Sequence, residues 1–293
     1  MILRYTTTLR SLRVAFAIGV TVFAFGLSGV TLAAEKILLA EGLDNPESAV
    51  VGDDGRIYVT ITGKPDAEDD GQVVAIENGK ATVIAKGMND PRGIGRKGKE
   101  LFVADKKKVW RIDAAGEASV FVDTDGFPVK PFFLNDIEVG PEGDVFVSES
   151  GTFVANGAVY RIRPNKEVSI VTDTKAAPGL KGPNGLLADG KDHLLLADVA
   201  SGRLYRVEIA NGAATELAPG LGGADGVVKD AKGRIYIGDV RGGRVFRINE
   251  PGAKPEVFAE GFKSAADIVL DDKGRILVPD SKAGTLTAIP IVD

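Results

Sequence analysis

The chain repeats itself six times, and no other property of the sequence narrows its fold as much. Strand-like runs stand at Ile57-Tyr58-Val59, Leu101-Phe102-Val103, Val145-Phe146-Val147, Leu194-Leu195-Leu196, Ile235-Tyr236-Ile237 and Ile276-Leu277-Val278, spaced by 44, 44, 49, 41 and 41 residues. Four positions past the first residue of each run lie Ile61, Asp105, Glu149, Asp198, Asp239 and Asp280, so five of six repeats carry a carboxylate at one register. A turn residue and a further strand follow in phase, as in Gly157 and Val159, Gly202 and Leu204, or Gly243 and Val245; the second repeat has Lys107 and Val109 there. Each repeat therefore holds four short β-branched or aromatic runs separated by Gly, Asp and Asn, the pattern of a four-stranded meander. One such sheet cannot bury both faces alone, and units of about 40–50 residues form a core by stacking radially. The predicted fold is all-β: a six-bladed β-propeller of four-stranded blades. The sixth repeat ends after its third strand, near 285–289, and the run Lys36-Ile37-Leu38-Leu39-Ala40 can supply the missing fourth, which removes an exposed sheet edge.

Ahead of that closing run, Arg4, Arg10 and Arg13 precede an apolar stretch over 14–27, and small residues end it at Thr31-Leu32-Ala33-Ala34. These are the charged, apolar and cleavage regions of a secretory signal peptide. The expected organisation is a signal peptide over 1–34 and one propeller domain over 35–293. An uncleaved membrane anchor is the alternative, because 14–34 carries no charge and just reaches spanning length; Thr21, Ser28, Gly29 and Thr31 weaken that reading. The formal charge is −5, and loss of a leader with three arginines and no acids makes it −8. Such a surface attracts neither nucleic acid nor anionic lipid. There is no cysteine, so no disulfide is used. The expected location is periplasmic or secreted, with no nucleic-acid partner and no membrane association after cleavage.

The innermost strands of a propeller run beside its axis, so side chains at their starts face one another. Aligning the repeats there gives Glu47, Arg92, Asn135, Asn184, Asp225 and Ala266. Four of the six are oxygen donors, two carboxylates and two amides, the set that a hard cation such as Ca²⁺ or Mg²⁺ accepts. Softer metals need Cys or several His, and His193 is the only one. Asn and Asp are also common turn residues, which accounts for any one of these positions better than for four at one register. Arg92 enters the same ring, either as a structural charge partner or as a grip on an oxyanion.

The motifs Pro46-Glu47, Leu134-Asn135-Asp136, Pro183-Asn184-Gly185 and Ala224-Asp225-Gly226 make the chain resemble the gluconolactonase family that includes regucalcin (senescence marker protein) and is related to diisopropyl fluorophosphatase. The resemblance covers essentially all of 35–293. It implies a divalent cation, Ca²⁺ foremost, bound by Glu47, Asn184 and Asp225, with Asn135 as a further ligand or a substrate contact. It also implies that Asp225 serves as base or nucleophile in cation-dependent lactone hydrolysis, with phosphoester cleavage in the related branch. Sugar-lactonase members carry an Arg two residues before the third-repeat Asn; here that residue is Phe133. With Phe132 beside it, the substrate side looks more apolar than a sugar site. One His also rules out the paired-His chemistry of some lactonase propellers.

The longest connections, 62–70, 126–131, 150–156 and 176–182, fall on the ring's face, where binding loops of repeat scaffolds gather. Phe127, Phe132, Phe133 and Phe153 either line a pocket there or pack the core. Other motifs lead nowhere: Gly93-Ile94-Gly95-Arg96-Lys97-Gly98 matches a dinucleotide fingerprint, but a strand follows it where a helix is required. His193 falls on the turn between the first two strands of its repeat, away from the ring, so no Ser-His-Asp triad has its base. Lys106-Lys107-Lys108 reads as a solvated turn. The expected function is a divalent-metal-dependent hydrolase acting on a lactone or related ester, with Asp225 and Arg92 catalytic, Asn135, Phe132 and Phe133 binding the small-molecule substrate, and Glu47, Asn135, Asn184 and Asp225 holding the metal. The alternative is a non-catalytic periplasmic propeller that binds a ligand or protein on its loop-rich face.

Overall fold

The computed structural model describes residues 35–64 and 67–291; the expected signal peptide lies outside the described residues. Short runs of Val, Ile, Leu and Tyr punctuated by glycine turns form six antiparallel four-stranded sheets. From inside outward, blade one is Pro46–Val51, Ile57–Ile61, Gly71–Glu77 and Lys80–Met88. Blade two is Pro91–Lys97, Glu100–Asp105, Lys108–Ile112 and Ala118–Val122, and blade three is Leu134–Val139, Val145–Glu149, Ala158–Ile162 and Val168–Asp173. Blade four is Pro183–Ala188, His193–Asp198, Arg203–Glu208 and Ala214–Ala218, and blade five is Ala224–Lys229, Ile235–Asp239, Arg244–Ile248 and Glu256–Glu260. Blade six combines Val269–Leu270, Arg275–Asp280 and Thr285–Pro290 with Ile37–Glu41, which pairs antiparallel with Thr285–Pro290 as its outermost strand. The predicted closure is therefore the observed one.

The inner strands touch in a closed ring, each against the next and the sixth against the first. The sheets pack face to face, and among the described residues the core divides into six clusters, one between each pair of adjacent blades. Between blades four and five, for example, Leu195, Leu204, Leu221, Ala224 and Ile237 are fully buried. Burying apolar area on both faces of every sheet is the dominant stabilising term.

The repeated carboxylate has a defined task. Asp198 is fully buried and accepts the backbone N–H groups of Lys181 at 2.7 Å and Gly182 at 3.1 Å, the two residues that lead into the inner strand of the same blade. It also accepts from Ala200 and Ser201 in the following turn. Asp105 does the same for Asn89 and Asp90, Glu149 for Phe132 and Phe133, Asp239 for Gly223, and Asp280 for Lys263 and Ser264. Blade one, where Ile61 replaces the acid, uses Thr62 and Asn45: the Asn45 amide donates to the Thr62 hydroxyl at 2.5 Å, and the Thr62 N–H donates to the Asn45 carbonyl at 3.2 Å.

Immediately after each anchor the inner strand bulges. In blades one to five the register against the second strand slips by one residue, between Pro46 and Ala49, Pro91 and Ile94, Leu134 and Ile137, Pro183 and Leu186, and Ala224 and Val227. A bulge breaks strict alternation, so two consecutive residues of each strand, such as Asn135 and Asp136, reach the axis region. Two tiers of side chains result. Where an aspartate stands in the second tier, the neighbouring strand has glycine: a Cβ at Gly93 would overlap Asp136, and one at Gly226 would overlap Asp267.

Replacing Asp198 by Ala leaves four N–H groups without their charged acceptor and is expected to cost about 2–3 kcal/mol in urea unfolding. Asp123→Ala, which removes one exposed cap on Thr124, should change stability by less than about 0.5 kcal/mol. Equal losses in the two variants would show that the anchors do not carry the blades.

Candidate functional site

Glu47, Asn135, Asn184 and Asp225 stand at one level on the inner strands of blades one, three, four and five, and none is more than 5% exposed. Arg92 of blade two joins them, with Nη1 3.9 Å from Glu47 Oε1. Its Nη2 donates to Asp90 Oδ2 at 3.2 Å, while Nε lies 2.9 Å from Asp90 Oδ1 but off the hydrogen-bond direction. Ala266 of blade six leaves its sixth of the ring without a polar group. The structure thus brings together all four expected metal ligands and the arginine.

The orientation of Asn135 is fixed from behind. Its amide nitrogen donates to Ser150 Oγ at 3.0 Å, and that hydroxyl donates to the Pro183 carbonyl at 2.7 Å, tying blade three to blade four next to Asn184. Three ring oxygens, Glu47 Oε2, Asn184 Oδ1 and Asp225 Oδ1, are buried and accept no hydrogen bond. Buried polar atoms are rarely left so, and an unsatisfied buried acceptor costs about 1–3 kcal/mol. Three uncommitted oxygens at one level suit a hard cation. Among the described residues no group of three or more His, Cys, Asp or Glu could hold a metal; this ring offers two carboxylates and two amides.

Charge in the ring is under strain. Burial, and then the Asp267 carboxylate, push the Asp225 carboxyl up to about 8, against the pull of Arg92, the Asn184 amide and the Gly226 N–H. Burial and then Asp225 raise Glu47 well above the usual carboxylate range, with Arg92 opposing. The second tier adds two acids. Asp136 accepts from the N–H groups of Ile137 and Leu186, both at 2.6 Å, and Asp267 accepts from the Ser48 hydroxyl. Burial lifts Asp267 to about 6, and burial with the charge of Asp267 lifts Asp136 well above the usual carboxylate range. Beyond them an axial cavity of about 150 Å³, lined by Ala49, Asp136, Glu138, Val228 and Asp267, continues along the inner strands. Burial brings Glu138, whose Oε1 accepts from the Ala188 N–H at 2.9 Å, to about 7.

The aromatic residues divide. Phe127 packs edge to face on Tyr160 at 5.1 Å within the core between blades two and three, so the pocket option fails for it. Phe133 lies beneath the Arg92 guanidinium, 5.1 Å from ring centroid to charge, and 5.5 Å from Phe153. Phe132 is 58% exposed beside it. The glycine-rich run 93–98 belongs largely to the inner strand of blade two, and His193 opens the second strand of blade four rather than sitting in the turn. Sequence reasoning missed Asp267, because it follows the apolar Ala266, and Ser150, because its one signal is to follow the anchor Glu149.

Solved structures share this architecture. A gluconolactonase from Xanthomonas campestris superposes with a TM-score of 0.71 at 16% identity, covering 88% of this chain and 90% of that one. Virginiamycin B lyase from Staphylococcus aureus gives 0.62 at 18%, covering 88% and 99%. At such identities the likeness shows the fold. A search of curated proteins finds no match. The model of the SMP-30/Gluconolactonase/LRE-like region matches residues 91–272, which include Arg92, Asn135, Asn184 and Asp225 and leave out Glu47. With more than half of its length matched, the chain belongs to the SMP-30/gluconolactonase/LRE-like family.

Proposed function

We propose that the protein is an exported, divalent-cation-dependent hydrolase that opens a lactone or cleaves a related ester, and the three uncommitted buried oxygens of Glu47, Asn184 and Asp225 carry that reading. Glu47, Asn135, Asn184 and Asp225 would hold the cation, most simply Ca²⁺. A cation there supplies Lewis acidity to the scissile carbonyl. Asp225, ionised when the ring holds a cation, would accept the proton of the attacking water. Arg92, its guanidinium held by Asp90 and Phe133, faces the negative charge that develops on the substrate oxygen. Water adds across the acyl C–O bond, leaving a hydroxy acid or an acid and an alcohol. Family membership and enzymatic structural neighbours support a catalytic role.

The activity test is a panel of lactones and aryl esters with Ca²⁺ present. Asp225→Asn should lower kcat by about 10²–10⁴-fold while the far-ultraviolet circular dichroism is retained. Bound Ca²⁺ with no turnover of any ester would instead favour a non-catalytic propeller that binds a ligand on this face.

Acidity gives an independent test. An unfolded Asp titrates near about 3.9, whereas folded, cation-free Asp225 does so at about 8. Between those values the unfolded chain has lost a proton that the folded chain keeps, so stability in EDTA should fall as pH rises from about 5 to about 8. A cation binds the ionised ring, so the rise in Tm on adding Ca²⁺ should grow over the same window. Glu47→Gln/Asp225→Asn should abolish the calcium response and shrink the fall of stability with pH, leaving the part that comes from Asp136, Glu138 and Asp267; a calcium response that persists in this variant would place the cation elsewhere. For export, the intact mass of protein secreted by a bacterial host should correspond to a chain beginning at Ala34 or Glu35, and a full-length mass would mean the leader is retained.

A further inference from the structure

The connection between the second and third strands of blade three does two things at once. Its root, Ser150, holds the Asn135 amide. Its tip presents Phe153, an aromatic residue at φ 62°, in the left-handed region that bulky side chains avoid. The loop is internally tied: the Phe153 N–H donates to the Ser150 carbonyl at 3.0 Å, and the Thr152 N–H to the Ala155 carbonyl at 3.0 Å. Backbone strain of this kind persists only where the surroundings impose it, and it concentrates at functional sites. Here it does not serve to bury the ring, which stays 38% exposed. Instead Phe153 stands against Phe133, which in turn lies under Arg92, 3.9 Å from Glu47. Their chain neighbours Phe132 and Val154 are 58% and 73% exposed.

We infer that Phe133 and Phe153 form a specificity wall that receives an alkyl or aryl substituent carried beside the scissile carbonyl, so that the substrate is an apolar-substituted lactone or ester rather than a polyhydroxylated one. This rests on the proposed hydrolase site for the placement of the carbonyl. Arg92 and Ser150 belong to both ring and wall, so a molecule whose reacting group reaches the ring must lay its neighbouring atoms along the phenylalanines. Two aromatic faces offer contact area and no hydrogen-bond partners for hydroxyl groups, and stripping water from hydroxyls without replacement is unfavourable. Phe153 is a specificity-determining residue held ready by its loop.

Binding of γ-butyrolactams carrying 3-alkyl chains of one to six carbons, which resist hydrolysis, measures the wall without turnover. With Ca²⁺ present, calorimetric affinity should rise about two- to fourfold per added methylene, the range for partial to full burial of a CH₂. In Phe153→Ala that slope should flatten while the affinity of the one-carbon lactam stays within about twofold; Phe153→Leu should restore most of the slope. A flat series in the unaltered protein, or an undiminished slope in Phe153→Ala, overturns the inference. So does a change of oligomeric state in Phe153→Ala on gel filtration, because the face would then be a protein interface. If the unsubstituted lactone is hydrolysed and the series is flat, only the wall falls; a steep series with no ester hydrolysed leaves the wall and removes the hydrolase.

Discussion

In five of the six blades the ring side chain is placed by a buried carboxylate that holds backbone N–H groups leading into the inner strand, and in blade one Asn45 and Thr62 take over that task. Asp105, Glu149, Asp198, Asp239 and Asp280 each clamp the residues just before an inner strand, and the ring side chain follows within a few positions. Such charge-assisted bonds are short and roughly twice as strong as neutral ones, and the N–H groups they satisfy would otherwise be orphans in the interior. Because the clamp is backbone-directed, it places the next side chain without specifying which one it is. That explains how Arg, Asn, Asn, Asp and Ala can occupy equivalent positions of blades two to six while the scaffold stays the same. In blade three the same clamp orders Phe132 and Phe133, so the scaffold bond and the apolar face have a common root.

The axis itself is electrostatically unfavourable. Glu47, Asp225, Asp136 and Asp267 are drawn into one narrow column with Arg92 as the cation in reach; burial raises all four carboxyls, and a neighbouring carboxylate adds to the rise at Glu47, Asp225 and Asp136. A chain selected only for stability has no reason to keep that arrangement. Replacing such groups by packed apolar residues is often neutral or better for stability, so stability alone does not account for the column, and it is the candidate site on that ground.

Much of this could be read from residues alone, because the fold is periodic. The strand anchors, the carboxylate register and the spare N-terminal strand sufficed for six blades and their closure, and the register led to Glu47, Arg92, Asn135, Asn184 and Asp225. What was hidden follows from departures from period. The inner-strand bulge brings Asp136 to the axis directly after Asn135, where simple alternation would turn it away, and Asp267 stands directly after Ala266, ahead of the short inner strand of blade six. Phe127 and Phe153 are indistinguishable as residues in loops, yet one plugs an inter-blade core against Tyr160 and the other stands in the open, because only the path of the chain decides which side a loop phenylalanine meets. Ser150 acts through a hydrogen bond to a neighbouring blade, a contact that leaves no trace in local spacing.

The closing pair, Ile37–Glu41 against Thr285–Pro290, makes the six sheets behave as a hoop. In an open stack one blade could tilt outward at the expense of a single interface; in a hoop any widening must be shared by all six interfaces at once. The spacing of the axial oxygens is then a property of blade number and sheet thickness, and the loops above them can change without altering it. Discrimination among cations by size would be set by the whole circumference, and discrimination among substrates by whatever the loops place on its rim.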